Sequence, residues 1–145
     1  MVSDALFRAK TDEILEAIKG PYEEITFLPK DSAADEWGHT IFEKPFDTKI
    51  TKVEIIPSGD IGQATNNMTL DVVNVGADGT GTTSLMTAAR VCNTSNAIAK
   101  IVGLALVAAS KSIPANARVT LKKTVGGTTG QAFPGARIKV TYEKA

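Results

Sequence analysis

Residues 66–83 read NNMTLDVVNVGADGTGTT. Two folds compete for this stretch. A glycine-rich loop that cradles phosphate joins a strand to a helix and belongs to an α/β protein, whereas a glycine-rich hairpin tip belongs to an all-β one. A phosphate loop ends in Gly-Lys-Ser/Thr at the start of its helix. Neither GADGTGTT nor the second glycine tract, GGTTG (126–130), has that lysine, and no convincing helix follows either. Dinucleotide-type glycine spacing is absent as well. Ala77-Asp78-Gly79 is a strong turn signal, and glycine supplies the positive φ that hairpin turns demand. The stretch therefore reads as a strand entering a hairpin tip. Its MTLDVVNV part alternates at first and then doubles at Val72-Val73, which predicts a bulge or burial on both faces.

The flanking sequence agrees. In TKITKVEII (48–56), Thr51, Val53 and Ile55 face one way while Lys52 and Glu54 face the other. RVTLKKT puts Val119 and Leu121 inward against Arg118, Thr120 and Lys122. RIKVTYEK does the same with Ile138, Val140 and Tyr142. These are half-buried strands of an antiparallel sheet. AIAKIVGLALVAA (97–109) fits helix and strand alike by periodicity, and its strand neighbours together with the turn IPAN (113–116) favour strand. Turn signals recur along the whole stretch, so residues 48–145 predict an antiparallel, jelly-roll-like β-sandwich.

Residues 1–47 differ in character and read as an N-terminal helix and arm. Ser3 is a good N-cap, Asp4 suits the helix dipole, and Gly20-Pro21 stops a helix over 3–19. Phe7, Ile14 and Ile18 share one stripe of it, and an isolated helix of this length is marginal in water, so that face wants a partner. Over 21–47, ITFLP (25–29) is a possible strand and KDSAADEWGH (30–39) a polar loop. Prolines 21, 29 and 45 punctuate the zone as in an extended arm lying on a surface.

With 145 residues the chain suffices for one ordinary domain, and 43% hydrophobic against 22% charged residues is a globular composition. Sixteen basic residues balance sixteen acidic ones, which argues against nucleic-acid binding by bulk charge. The longest apolar run, Ile101 to Ala109, is too short to span a membrane. The N-terminus lacks the pattern of a signal peptide, which predicts a cytosol-like site of synthesis. Cys92 is the single cysteine and reads as an inert small side chain; disulfides and cysteine zinc sites are excluded. His39, the single histidine, lies in a polar loop beside Trp37. Asp71 and Asp78 are too few and too far apart for a calcium loop. No residue stands out as catalytic, cofactor-binding or metal-ligating.

The order of elements from Thr40 onward carries a resemblance. TKVEIIP, the polar loop before NNMTLDVVN, the GADGTGTT hairpin, IPAN before a strand, and the closing PGARIKVTY together resemble the β-sandwich of tailed-bacteriophage head decoration (cement) proteins. That resemblance implies a virion protein on the capsid surface, made in the host cytoplasm, commonly a homotrimer, whose partner is the major capsid protein and which needs no cofactor. The helix at 3–19 has no counterpart in that pattern. An arm that crosses the shell would use apolar anchors, and the candidates are Phe7, Ile14, Ile18, Ile25, Phe27, Leu28, Trp37, Phe42 and Phe46. Related domains also occur in phage fibres, so the rival expectation is a receptor-binding module for a host glycan, with Trp37, Tyr22 and Tyr142 as sugar contacts. A small hydrolase using His39 is the remaining reading.

Overall fold

Alternation at period two sorts the strand residues between core and solvent, as a computed structural model of the chain makes explicit. The structure describes residues 5, 8, 10, 11, 18–95, 101–107 and 112–145. In chain order the strands are β1 (Tyr22–Lys30), β2 (Trp37–Glu43), β3 (Thr48–Pro57), β4 (Asn67–Gly76), β5 (Thr83–Ser84), β6 (Arg90–Cys92), β7 (Val102–Leu104), β8 (Ser112–Ile113), β9 (Arg118–Gly126) and β10 (Pro134–Lys144). They form two five-stranded antiparallel sheets. The first runs β1-β10-β3-β7, with β8 also on β3; the second runs β2-β9-β4-β5, with β6 also on β4. The fold is the all-β sandwich read from the sequence.

Core and register follow the alternation closely. Val119, Leu121, Ile138, Val140 and Tyr142 are buried, with Phe42 edge-on to Tyr142 at 5.0 Å between ring centres. In β3 the inward set is Ile50, Val53 and Ile55, all fully buried, and not Thr51. A register shift against β10 leaves Thr51 as the extra residue, where its hydroxyl donates to Thr141 O at 3.2 Å. Val72 and Val73 are both buried on opposite faces without a bulge; the register shift comes between Asn74 and Gly76. A further shift in β2 leaves Ile41 beside Phe42, and both are buried.

Much of the segment read as an arm is paired strand instead. Tyr22–Lys30 pairs along β10 from Tyr22↔Tyr142 to Lys30↔Pro134, and Trp37–Glu43 pairs along β9. Each sheet thus takes one strand from the zone before residue 48, and the sandwich includes residues 22–43. The prolines misled: Pro29 sits near the end of edge strand β1 and Pro45 lies between β2 and β3, both places where a missing N–H is tolerated. The helix expected over 3–19 falls mostly outside the described residues.

The glycine tract is a hairpin tip. Gly81 N donates to Val75 O at 2.8 Å, and the Asp78 carboxylate accepts from Thr80 N at 3.0 Å and Thr80 Oγ1 at 2.9 Å. Those two bonds, backbone first, hold the Asp78 carboxyl below its ordinary range. IPAN is a turn as expected, with Asn116 at φ 65° and Ala117 N bonded to Pro114 O at 3.1 Å. From the ambiguous 97–109 segment, Val102–Leu104 is strand and Leu106 bridges Met86.

Candidate interaction surface

Strand alternation divides the expected anchors. Along β1 the outward residues are Glu23, Ile25 and Phe27; Ile25 is 49% and Phe27 74% exposed. Leu28 turns inward and is buried, and Phe42 is 1% exposed against Tyr142, so these two expected contacts belong to the core. Phe7 and Ile14 lie outside the described residues, while Ile18 is described and 45% exposed. Phe46 is half-buried, with Lys144 Nζ 4.7 Å from its ring centre.

Pairing places Ile25 and Phe27 on the outer face of the first sheet. Phe27 lies opposite Arg137, which lies opposite Ile56; Ile25 lies opposite Lys139, which lies opposite Glu54. Ile101, just before β7, adds a further exposed apolar side chain. Most charges between them are paired. Lys139 Nζ is 3.4 Å from Glu23 Oε1 and 3.7 Å from Glu54 Oε1, and Lys52 Nζ is 3.5 Å from the same Glu54 oxygen. Where β1 meets β2, Lys44 pairs with Glu24 and its ammonium lies 5.4 Å from the Tyr142 ring centre. The hydrogen bond to Glu24 raises the Lys44 pKa above its ordinary value, against the opposing effect of burial. Such a face can bury apolar area against another protein.

Trp37 has a structural task. Its Nε1 donates to Asp31 Oδ2 at 2.7 Å, and its ring lies 4.5 Å from His39 and 5.1 Å from Phe133. Asp31 Oδ2 also takes Lys123 Nζ at 2.6 Å, Oδ1 accepts from Phe133 N, and Lys123 donates again to Ser32 O at 3.2 Å. Lys123 is fully buried. A buried ion pair persists only when its remaining hydrogen-bonding capacity is met, and this one joins β9, the β1–β2 corner and the approach to β10. Sequence reading passed over it, although a signal was present: in RVTLKKT the face carrying Val119 and Leu121 continues to Lys123. Tyr142, a sugar contact on the rival reading, is core, and Tyr22 is half-buried against it at 5.5 Å. Burial pushes the Cys92 thiol up, away from thiolate reactivity. Among the described residues no three His, Cys, Asp or Glu side chains converge as a metal site, and no helix is long and apolar enough to cross a membrane.

No protein-family model matches the chain, and no curated protein matches it. Among solved structures it is similar to the infectious bursal disease virus VP2 subviral particle, at 14% identity and a TM-score of 0.37, over 86% of this chain and 38% of that one. The Gx strain structure of the same virus gives 10% identity and a TM-score of 0.33, over 88% of this chain and 31% of that one. The chain thus spans well under half the length of these structures, and a likeness this distant carries no argument about function.

Proposed function

We propose that the chain is a non-enzymatic virion structural protein that binds the outer surface of a phage capsid and stabilises it by bridging major capsid subunits, as a homotrimer at local threefold positions. The observation that carries this reading is the order of strands and turns from Thr40 onward, which resembles that of head decoration proteins. The exposed Ile25 and Phe27 supply a suitable joint. Fully burying a phenylalanine contributes roughly 1.5–3 kcal/mol. A single such contact is weak, but a trimer on a repeating lattice makes several at once, and their effects multiply through effective concentration. Phe7, Ile14 and Ile18 add a second apolar set in the same role, with Phe46 and the rim of Trp37 as lesser contacts.

Co-sedimentation with expanded capsids of the parent phage lacking this protein, followed by heating, tests the reading. Saturable binding near one trimer per local threefold, with capsids surviving to higher temperature, supports it. Failure to bind any capsid form contradicts it.

A further inference from the structure

The outer face of the second sheet carries a different surface. Two cross-strand rows cover it: Gly38 opposite Lys122 opposite Asp71, and Thr40 opposite Thr120 opposite Val73. The hairpin tip after β4 lies at the side of these rows, with Gly79, Gly81 and Thr82 as a wall, and the cleft between has a volume of about 440 Å3. That lies within the roughly 300–1,000 Å3 of small-ligand sites. Arg118 ties the wall down by donating to Ala77 O at 3.1 Å, and a side chain on Gly79 would meet that guanidinium at 2.8 Å. The glycine tract at 76–83 is therefore a loop tip that also bounds a cleft.

The groups in this cleft are short of partners. The hydroxyls of Thr40, Thr82 and Thr120 and the ammonium of Lys122 have no hydrogen bond or ion pair among the described residues. Asp71 is the single acid of the lining, and its Oδ1 accepts from Ser84 Oγ at 2.6 Å. Val73 and Val75 give an apolar floor. Arg118 and Lys122 make the cleft net positive, which selects an anion. Asp71 disfavours a compact dianion such as phosphate and asks instead for a ligand that also donates. Free hydroxyls alongside a carboxylate and a C–H face match that set. Gly38 sharpens the point: it needs no positive φ, and a Cβ there would meet only the Thr120 side chain, at 3.8 Å. Its missing side chain leaves the cleft open where the backbone would accept another residue.

We propose that this cleft binds an acidic saccharide, a sugar unit bearing a carboxylate and neighbouring hydroxyls, with Lys122 and Arg118 on the carboxylate, Asp71 on a hydroxyl and the threonines on the remaining oxygens. The inference does not rest on capsid attachment. Because the lining has no aromatic ring, the affinity of one site is modest, and copies arrayed on a surface would gain by avidity.

Amide NMR titration of the full chain tests it, with digalacturonate, its neutral counterpart galactobiose, and tetraglutamate as probes. Digalacturonate should give saturable shifts confined to residues 38–40, 71–73, 79–82 and 118–122. Digalacturonate on Lys122→Gln should bind about tenfold more weakly, the loss expected for one charge-assisted hydrogen bond, and galactobiose, which forfeits the contacts of both Lys122 and Arg118, about a hundredfold more weakly. Gly38→Val should abolish binding while the melting temperature holds, since a β-branched residue suits a strand. Shifts outside these segments, no shifts at all, or full binding by Gly38→Val would overturn the site. Tetraglutamate binding as tightly as digalacturonate would overturn the saccharide and indicate an acidic protein segment instead.

Discussion

The two outer faces of the sandwich have the same architecture and opposite chemistry. On the first sheet, Ile25, Phe27 and Ile56 stand among charges that are largely ion-paired, with Lys139 and Lys52 sharing Glu54. On the second, threonine hydroxyls and Lys122 have no partner among the described residues, and a hairpin tip lies beside them. Paired charges lower the cost of removing a face from water, so the first suits burial against a protein. Unpaired donors around a concavity suit a small polar ligand. The contrast narrows to single residues at Lys122 and Lys123: adjacent in sequence, one exposed and without a partner among the described residues, the other fully buried and paired.

The largest expected effect lies in that lysine pair. Lys123→Met leaves the nearly buried Asp31 carboxylate without its cation and should cost about 3 kcal/mol in chemical denaturation. Lys122→Met should stay within about 0.5 kcal/mol of the parent chain. Equal effects would erase the distinction between the two faces of β9. Close behind comes a second contrast. Phe42→Ala should cost about 3–5 kcal/mol as a core truncation, whereas Phe27→Ser should leave the melting curve nearly unchanged. A smaller effect is expected at Asn116, whose positive φ asparagine tolerates better than alanine. Asn116→Ala should destabilise by about 1 kcal/mol and Asn116→Gly by less, read from urea midpoints.

The smallest effect concerns pH. Folding raises the Lys44 pKa above 10.5, so the Lys44–Glu24 pair contributes fully below that value and its contribution is lost as pH climbs through the folded pKa. Lys44→Met should therefore flatten the alkaline limb of the stability profile and leave its neutral region little altered in shape.

Local pattern carried much of this fold. Val119 and Leu121, Ile138 and Val140, the tip at 76–83 and the turn at 113–116 were legible because each depends on residues near in sequence. What was not legible depends on distant pairing. Tyr22 reaches Tyr142 and Trp37 reaches Lys123 across most of the chain, and no local period announces that β1 and β2 complete opposite sheets. The register shift at Thr51 is set by the partner strand, so alternation alone placed that residue inward. Site residues suffered for the same reason. Ile25, Phe27 and Leu28 read alike as anchors until pairing sent Leu28 to the core and the other two to solvent. The cleft joins Gly38 and Thr40 to Lys122 and Asp71, residues that only the sheet brings together.

The proposed capsid attachment runs through the first sheet. The most direct test is competition between the parent chain and an Ile25→Ser/Phe27→Ser double variant for the same undecorated capsids, read as bound protein per capsid. The double variant should fold, be displaced by the parent chain and give no thermal protection to the shell. A variant that fills the capsid to the parent stoichiometry and protects it equally would contradict attachment through this sheet.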